Sequence, residues 1–317
     1  MNKCLSCYQA LDEGVVDYHS HCARAFYGVK GAPSLPYNLS DMERLAKEVA
    51  ELSISVPGVQ PKLSLGWIKT TVENGRLGRL TITDALGGNY ILKPQNSEFP
   101  QMPENEHLSM MLAKLFEIEI VPANLIRLAS GELCYITKRI DRNEDGSKNH
   151  MIDFLQILEL ADKYMGTMEM LGKKIGELSE NTLLDKFRFL ELTVFNYIIG
   201  NNDMHLKNYS MFLSKNGWVL SPSYDLLNVK IILPKDKEDI ALKLGGKKEN
   251  FKKLYFDQLG EVLKLNSKQI NSIYLKLKSW VPQAIQLIEN SFLDRKGKDQ
   301  YKKIVETRVA ELLEKQN

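Results

Sequence analysis

Apolar and polar positions change their period along the chain, and the change divides it. Over residues 63–69 they alternate, the two-residue period of a strand with one buried face. Glu73-Asn74-Gly75 supplies a hairpin turn, Tyr90-Ile91-Leu92-Lys93 is a short apolar strand, and residues 125–128 and 133–137 read as two more. A helix lies among them, with Leu108, Met111, Leu112 and Leu115 at helical spacing behind Pro103-Glu104-Asn105-Glu106-His107. An earlier one is predicted from Ser40-Asp41-Met42-Glu43, a capping-box pattern, to about residue 52. From Met151 the pattern is helical. Phe154, Leu155 and Leu158 share a face, and residues 183–199 form a long amphipathic helix, its apolar side in the core, closed by Gly200. A β-like pair at 209–213 and 218–220 interrupts the helices, which resume at 266–287 and 295–313 with Lys and Glu on a solvated surface. Residues 28–38, rich in Gly and Pro, read as a linker. The division predicted is a short segment 1–38, a strand-rich lobe 39–142 and a helical lobe 143–317.

Composition narrows the class. The 317 residues are 44% hydrophobic and 26% charged, ordinary for a soluble globular protein of two domains or two lobes. A net charge of +2 gives no electrostatic case for nucleic acid or an anionic membrane. No apolar run approaches the ~20 residues of a membrane helix. Met1-Asn2-Lys3-Cys4-Leu5-Ser6-Cys7 has no apolar core of a secretion signal. With four Cys and no such signal, the expected compartment is the cytoplasm and the expected thiol state reduced.

The chemistry gathers at Asn201-Asn202-Asp203-Met204-His205-Leu206-Lys207-Asn208, with Ser221-Pro222-Ser223-Tyr224-Asp225 following a short hairpin later. Asp and Asn in D-x-x-x-x-N spacing, then a second Asp, is the protein-kinase order of catalytic parts. One carboxylate orients the attacking hydroxyl and takes its proton; an amide oxygen and a second carboxylate hold magnesium, a hard cation that prefers oxygen. The same residues also suit an Asn/Asp-rich turn without chemistry.

Other candidates lie upstream. Residues 53–62 form a turn with Gly58 between Pro57 and Pro61, then Lys62. The turn is neither a Walker motif nor a kinase glycine loop, yet exposed amides and a Lys can bind phosphate. Lys93, at a strand end, resembles the lysine that grips nucleotide phosphates, and Glu104 or Glu106 offers it a partner. Lys138-Arg139-Ile140 sits where a connector between lobes would run. At the N-terminus, Cys4 and Cys7 in C-x-x-C spacing, Cys22, and one of His19 or His21 make half of a zinc-site pattern. With four protein ligands such an ion would be structural.

Together the motifs resemble the HipA family of bacterial toxin kinases. The resemblance rests on Ser55-Val56-Pro57-Gly58-Val59-Gln60-Pro61-Lys62, Tyr90-Ile91-Leu92-Lys93, Arg139-Ile140-Asp141-Arg142, residues 202–210 and Pro222-Ser223-Tyr224-Asp225-Leu226-Leu227, in order and spacing. It implies an α+β, two-lobed protein-kinase-like fold with a small β-rich N-lobe and a larger helical C-lobe. It also implies ATP and Mg²⁺ as cofactors and Ser/Thr protein phosphorylation. Asp203 would be the catalytic base, and Asn208 and Asp225 the Mg²⁺ ligands. Pro57, Gly58, Val59, Gln60, Pro61 and Lys62 would form the phosphate loop, and Lys93 would contact ATP phosphates. Lys138, Arg139 and Ile140 would make the adenine connector, and His205, Leu206 and Lys207 would lie beside nucleotide. Ser55, with Ser53, falls at the autophosphorylation position, where phosphate charge at the loop mouth would repel ATP.

Some features separate this chain from full-length HipA. The stretch before Ser53 is shorter than the family's extra N-terminal subdomain, which resembles the HipT branch, where that subdomain is a separate small antitoxin. Ser53-Ile54-Ser55 also matches that branch. Lys138 and Ile140 stand where HipA carries an acid and an aromatic. The resemblance therefore implies a toxin kinase that phosphorylates an aminoacyl-tRNA synthetase, tryptophanyl first and glutamyl second, and arrests growth. Its partners would be a separate small antitoxin and a HipB-like DNA-binding antitoxin, with no direct contact to nucleic acid or membrane. The rivals are a kinase of this fold acting on a small molecule and a silent pseudokinase co-repressor.

Overall fold

The computed structural model describes residues 2–42, 44–45, 62–73, 76–82, 88–143, 145 and 147–314, with backbone alone over 67–73, 76–78 and 82. The candidate loop residues Pro57, Gly58, Val59, Gln60 and Pro61, and the serines Ser53 and Ser55, lie outside the described residues. The chain divides into two compact units. The first comprises 1–107, 121–148 and 290–292; the second comprises 108–120, 149–289 and 293–317.

The first unit is built on one antiparallel sheet. Its strands are β1 (Leu63–Glu73), β2 (Arg76–Ile82), β3 (Tyr90–Lys93), β4 (Ala123–Arg127) and β5 (Leu133–Lys138). Their order across the sheet is β2-β1-β3-β5-β4. Glu73 pairs with Arg76, the register a two-residue turn imposes. Alternation puts Leu63 and Leu65 of β1 in the core, while β3, β4 and β5 are buried over most of their residues, Leu92, Leu125 and Ile136 among them. Helix α1 (Ser20–Tyr27) precedes the sheet and ends on Gly28, whose φ of 75° is the left-handed cap glycine adopts without penalty. The helix expected behind Ser40 begins differently. The Asp41 carboxylate accepts from the Asn38 backbone N–H at 2.9 Å, and the Met42 N–H donates to the Asn38 carbonyl, so Asn38 takes the capping place assigned to Ser40. Glu43, the other half of the expected box, lies outside the described residues.

Helix α2 (Met102–Leu115) starts in the first unit and continues in the second. The second unit then carries α3 (Phe154–Ile157), α4 (Met168–Leu178), α5 (Thr182–Ile199), α6 (Val229–Ile232), α7 (Lys253–Val262), α8 (Ser267–Asn290) and α9 (Arg295–Leu313). Residues 151–153, expected to be helical, instead form β6 (Met151–Asp153). It pairs with β7 (Ser210–Ser214), which pairs with β8 (Gly217–Leu220). Asp153 ends that strand and caps α3, accepting from the Gln156 N–H while the Gln156 side chain reaches back. Helix α5 is more enclosed than an amphipathic surface helix, for every residue from Phe189 to Ile199 is buried. The charges of the last two helices are not all solvated. Arg308 is buried and donates to the Tyr197 carbonyl and to Asp239, and Lys276 pairs with buried Glu191 at 2.7 Å. Among the described residues, no helix is long and apolar enough to cross a membrane.

Candidate active site

In the second unit the loop after α5 is placed by backbone chemistry. Gly200 closes the helix with φ 77°, and its carbonyl accepts from the N–H groups of Val229 and Lys230. Asn201 donates from its side chain to the Asn196 side chain at 2.8 Å, so the first turn outside the helix is held by the last turn inside it. His205 N–H donates to the Asp203 carbonyl at 2.8 Å, and a short 3₁₀ turn, Leu206–Asn208, follows. Leu206 is buried; Lys207 is exposed.

Asp203 and Asn208 come together at the ends of this loop. The Asn208 Nδ2 donates to the Asp203 backbone carbonyl at 3.1 Å, so Oδ1 is the atom of that amide able to accept or to face a cation. Asp225 is brought to the same loop by its neighbour. The Tyr224 hydroxyl donates to the Lys207 carbonyl at 3.1 Å and accepts from Ser210 Oγ at 2.6 Å. Asp225 itself has φ 61°, a left-handed backbone that a non-glycine residue adopts only where its surroundings impose it. His205 lies within the field of both acids. Burial pushes its imidazole below the ordinary value, and the charges of Asp203 and Asp225 oppose that shift without reversing it. Its Nδ1 is buried with no hydrogen-bond partner among the described residues, an orphan polar atom beside two carboxylates. Hard oxygens and an unsatisfied donor or acceptor suit a metal-bound nucleotide.

A residue the sequence pattern did not single out touches Asp203 directly. Tyr164 donates its hydroxyl to Asp203 Oδ1 at 2.7 Å, and its ring meets His205 edge-on with centroids 5.4 Å apart. The Lys163 carbonyl, next to it, accepts from Leu206 N–H at 3.0 Å. No motif marks Tyr164 because it stands 39 residues before its partner in a polar turn. Buried Asp185 does comparable work on the hairpin, its Oδ2 accepting from the Leu220 N–H at 2.7 Å and from Ser179 Oγ at 2.6 Å.

The first unit places its candidates separately. Lys93 ends β3, is 4% exposed, and donates to Glu106 at 2.5 Å. The choice between the two acids of α2 is thereby made, for Glu104 is engaged by Gln95 at 2.8 Å. Lys138 lays its ammonium over the Phe26 ring, 5.6 Å from the centroid. Arg139 is held by both oxygens of Asp141 at 3.0 and 2.7 Å, and Ile140 is half-buried. Lys62 is exposed just before β1. At the N-terminus, the sulfurs of Cys4, Cys7 and Cys22 and one His19 ring nitrogen lie within 4.8 Å of one another; of the two histidines, His19 supplies the ligand atom.

Comparison with known proteins bears on family and fold. A Haemophilus influenzae protein named only as a candidate kinase is 28% identical over 211 residues, 62% of this chain and 59% of its own. The Shewanella oneidensis serine/threonine-protein kinase toxin HipA is 26% identical over 200 residues, 56% of this chain and 43% of its own. The chain thus spans about half the length of the curated relatives it matches. Among solved structures, the Shewanella oneidensis HipA, HipB and operator DNA complex aligns with a TM-score of 0.67 at 19% identity, covering 96% of this chain and 80% of that one. The Helicobacter pylori proinflammatory kinase CtkA aligns at 0.52 and 16% identity over 70% of this chain and 87% of its own. These likenesses establish the mixed kinase-like fold of strands and helices that the motifs implied. With residues 54–285 matching its description, the chain belongs to the family of the HipA-like C-terminal domain.

Proposed function

We propose that the chain is an ATP-dependent protein Ser/Thr kinase of the toxin type, with Asp203 as its base. The observation that carries this is the loop itself. Asn208 is bonded to Asp203, Tyr224 brings Asp225 alongside, and both acids act on His205. Asp203 accepts the proton of a Ser or Thr hydroxyl as its oxygen bonds to the γ-phosphorus and the bond to the leaving ADP oxygen breaks. Asn208 Oδ1 and the Asp225 carboxylate would hold Mg²⁺, which supplies neutralisation of phosphate charge when bound. Lys93, fixed by Glu106, would contact ATP phosphates, Pro57 to Lys62 would cover them, and Lys138 to Ile140 would border the adenine.

The motif Ser53-Ile54-Ser55 supports a place in the HipT branch, with tryptophanyl-tRNA synthetase the favoured substrate and the glutamyl enzyme next. A HipB-like DNA-binding antitoxin and a separate small antitoxin are the partners that reading carries. Brief expression of wild type and Asp203→Gln, followed by phosphoproteomics, tests it. A synthetase serine or threonine should be phosphorylated with wild type alone. Equal phosphorylation by the variant removes Asp203 as base, and labelling of small molecules only removes the protein substrate. Mass spectrometry after incubation with ATP should find phosphate on Ser55 or Ser53.

A further inference from the structure

The N-terminal cluster is absorbed by none of the chemistry above, and its geometry is that of a metal knuckle. Cys4 and Cys7 lie on one turn, closed by the Tyr8 N–H donating to the Cys4 carbonyl at 3.0 Å. Tyr8 completes that turn with φ 64°, a conformation a non-glycine residue keeps only under constraint. Cys22 comes from the first turn of α1, and His19 stands just before it. Ligand atoms on a tetrahedral zinc lie about 3.5–3.8 Å apart, given Zn–S and Zn–N bonds of about 2.0–2.3 Å. His19 Nδ1 is already 3.4 Å from Cys7 Sγ and 3.9 Å from Cys22 Sγ. Its other nitrogen, Nε2, lies 2.9 Å from the Ala10 carbonyl. A carbonyl accepts only, so Nε2 carries the proton and Nδ1 turns a lone pair to the sulfurs. Fixing the tautomer in this way is how proteins orient metal-binding imidazoles. His21 stacks on His19 with centroids 5.1 Å apart and offers the cluster no ligand atom.

We propose that Cys4, Cys7, His19 and Cys22 bind one Zn²⁺ ion, and that the ion fixes the segment bracing the strand and helix that carry Lys93 and Glu106. Three thiols give up their protons to the solvent on binding, and no electron is transferred. The knuckle meets the rest of the first unit through several side chains. Tyr8 shares a 2.8 Å hydrogen bond with His107, the residue after Glu106. Tyr18 donates to the Leu125 carbonyl on β4, and Asp17 pairs with Arg127 of the same strand at 3.0 Å. Phe26 and Tyr27 pack on Tyr90 of β3. A segment this short cannot bury enough apolar surface to order itself, and an ion supplies what the core does not.

The full-length chain, purified from zinc-replete cells without chelator, should contain one zinc per chain by plasma mass spectrometry. Cys4→Ser and Cys22→Ser should lose it, His19→Ala should weaken it at least tenfold, and His21→Ala should keep it. Should the cysteine variants fail to fold, the wild-type chain still decides: stripped of metal, it should take up Co²⁺ and develop the visible bands of a tetrahedral thiolate site. A folded chain with neither zinc nor cobalt uptake overturns the proposal, as does iron in zinc's place. Stripping should lower the melting temperature by roughly 5–10 °C and speed amide exchange at the start of α2 and in β4. Unchanged melting and exchange would overturn the bracing role. None of these readouts needs nucleotide or kinase activity.

Discussion

At the residue scale, Tyr164 and the Lys93–Glu106 pair make the sharpest claims. Tyr164 donates to Oδ1 of the carboxylate proposed as the base, which on that proposal leaves Oδ2 for the incoming hydroxyl. A hydrogen bond to a charged group contributes about 1.5–3 kcal/mol when buried and less at a 40% exposed tyrosine. Tyr164→Phe should therefore lower kcat by about threefold to tenfold with the KM for ATP unchanged; an equal rise in KM would assign the residue to binding instead. Lys93→Met leaves the Glu106 carboxylate buried without its main partner, a loss of about 3–5 kcal/mol in denaturant unfolding. The double variant Lys93→Met, Glu106→Leu should regain most of that stability while phosphate transfer stays lost. Recovery of both would mean the lysine serves packing alone.

At the scale of elements, the ends of helices decide where the chemistry sits. Gly200 turns the chain out of α5 at φ 77°, and a Cβ there would stand 2.9 Å from Asn228 Oδ1. That oxygen accepts from Ile231 N–H and caps α6. Gly200→Ala should cost about 1–3 kcal/mol by urea unfolding, combining left-handed strain with a displaced cap. The sequence marked this glycine as a helix end, and marked the long helix, four of the five strands of the first sheet and the last two helices by simple local patterns. It missed β6, where three residues belong to a sheet only through pairing with β7, some sixty positions away. It read the charges of α9 as solvated because nothing local reveals that Arg308 reaches the carbonyl of Tyr197. Asp203, Asn208 and Asp225, the proposed base and cation ligands, stood out because their spacing matches the kinase order of parts. Tyr164 was not, since loop packing alone places it.

For the molecule as a whole, acid should act through a buried histidine. His107 is fully buried, and burial pushes its imidazole from 6.5 down to about 3. Its folded value lies below its unfolded one, so the stabilisation is complete above 6.5. As pH falls the unfolded chain takes up a proton the folded chain refuses. Stability should drop by as much as about 1.4 kcal/mol per pH unit from this group, from about 6.5 toward 3. Melting temperatures from pH 7.5 to 5 should fall accordingly, and His107→Gln should flatten the slope. An unchanged slope would show that other groups dominate.

Lys3 donates to the carbonyls of Asn290 and Ser291 and lies over the Phe292 ring, so the first unit is completed by residues 287 and more positions downstream. Ribosomes add about 5–20 residues per second, which separates the two partners in time by roughly 15–60 s. During that interval the nascent N-terminus waits without these contacts, and the first unit is finished only once residues 290–292 have been made.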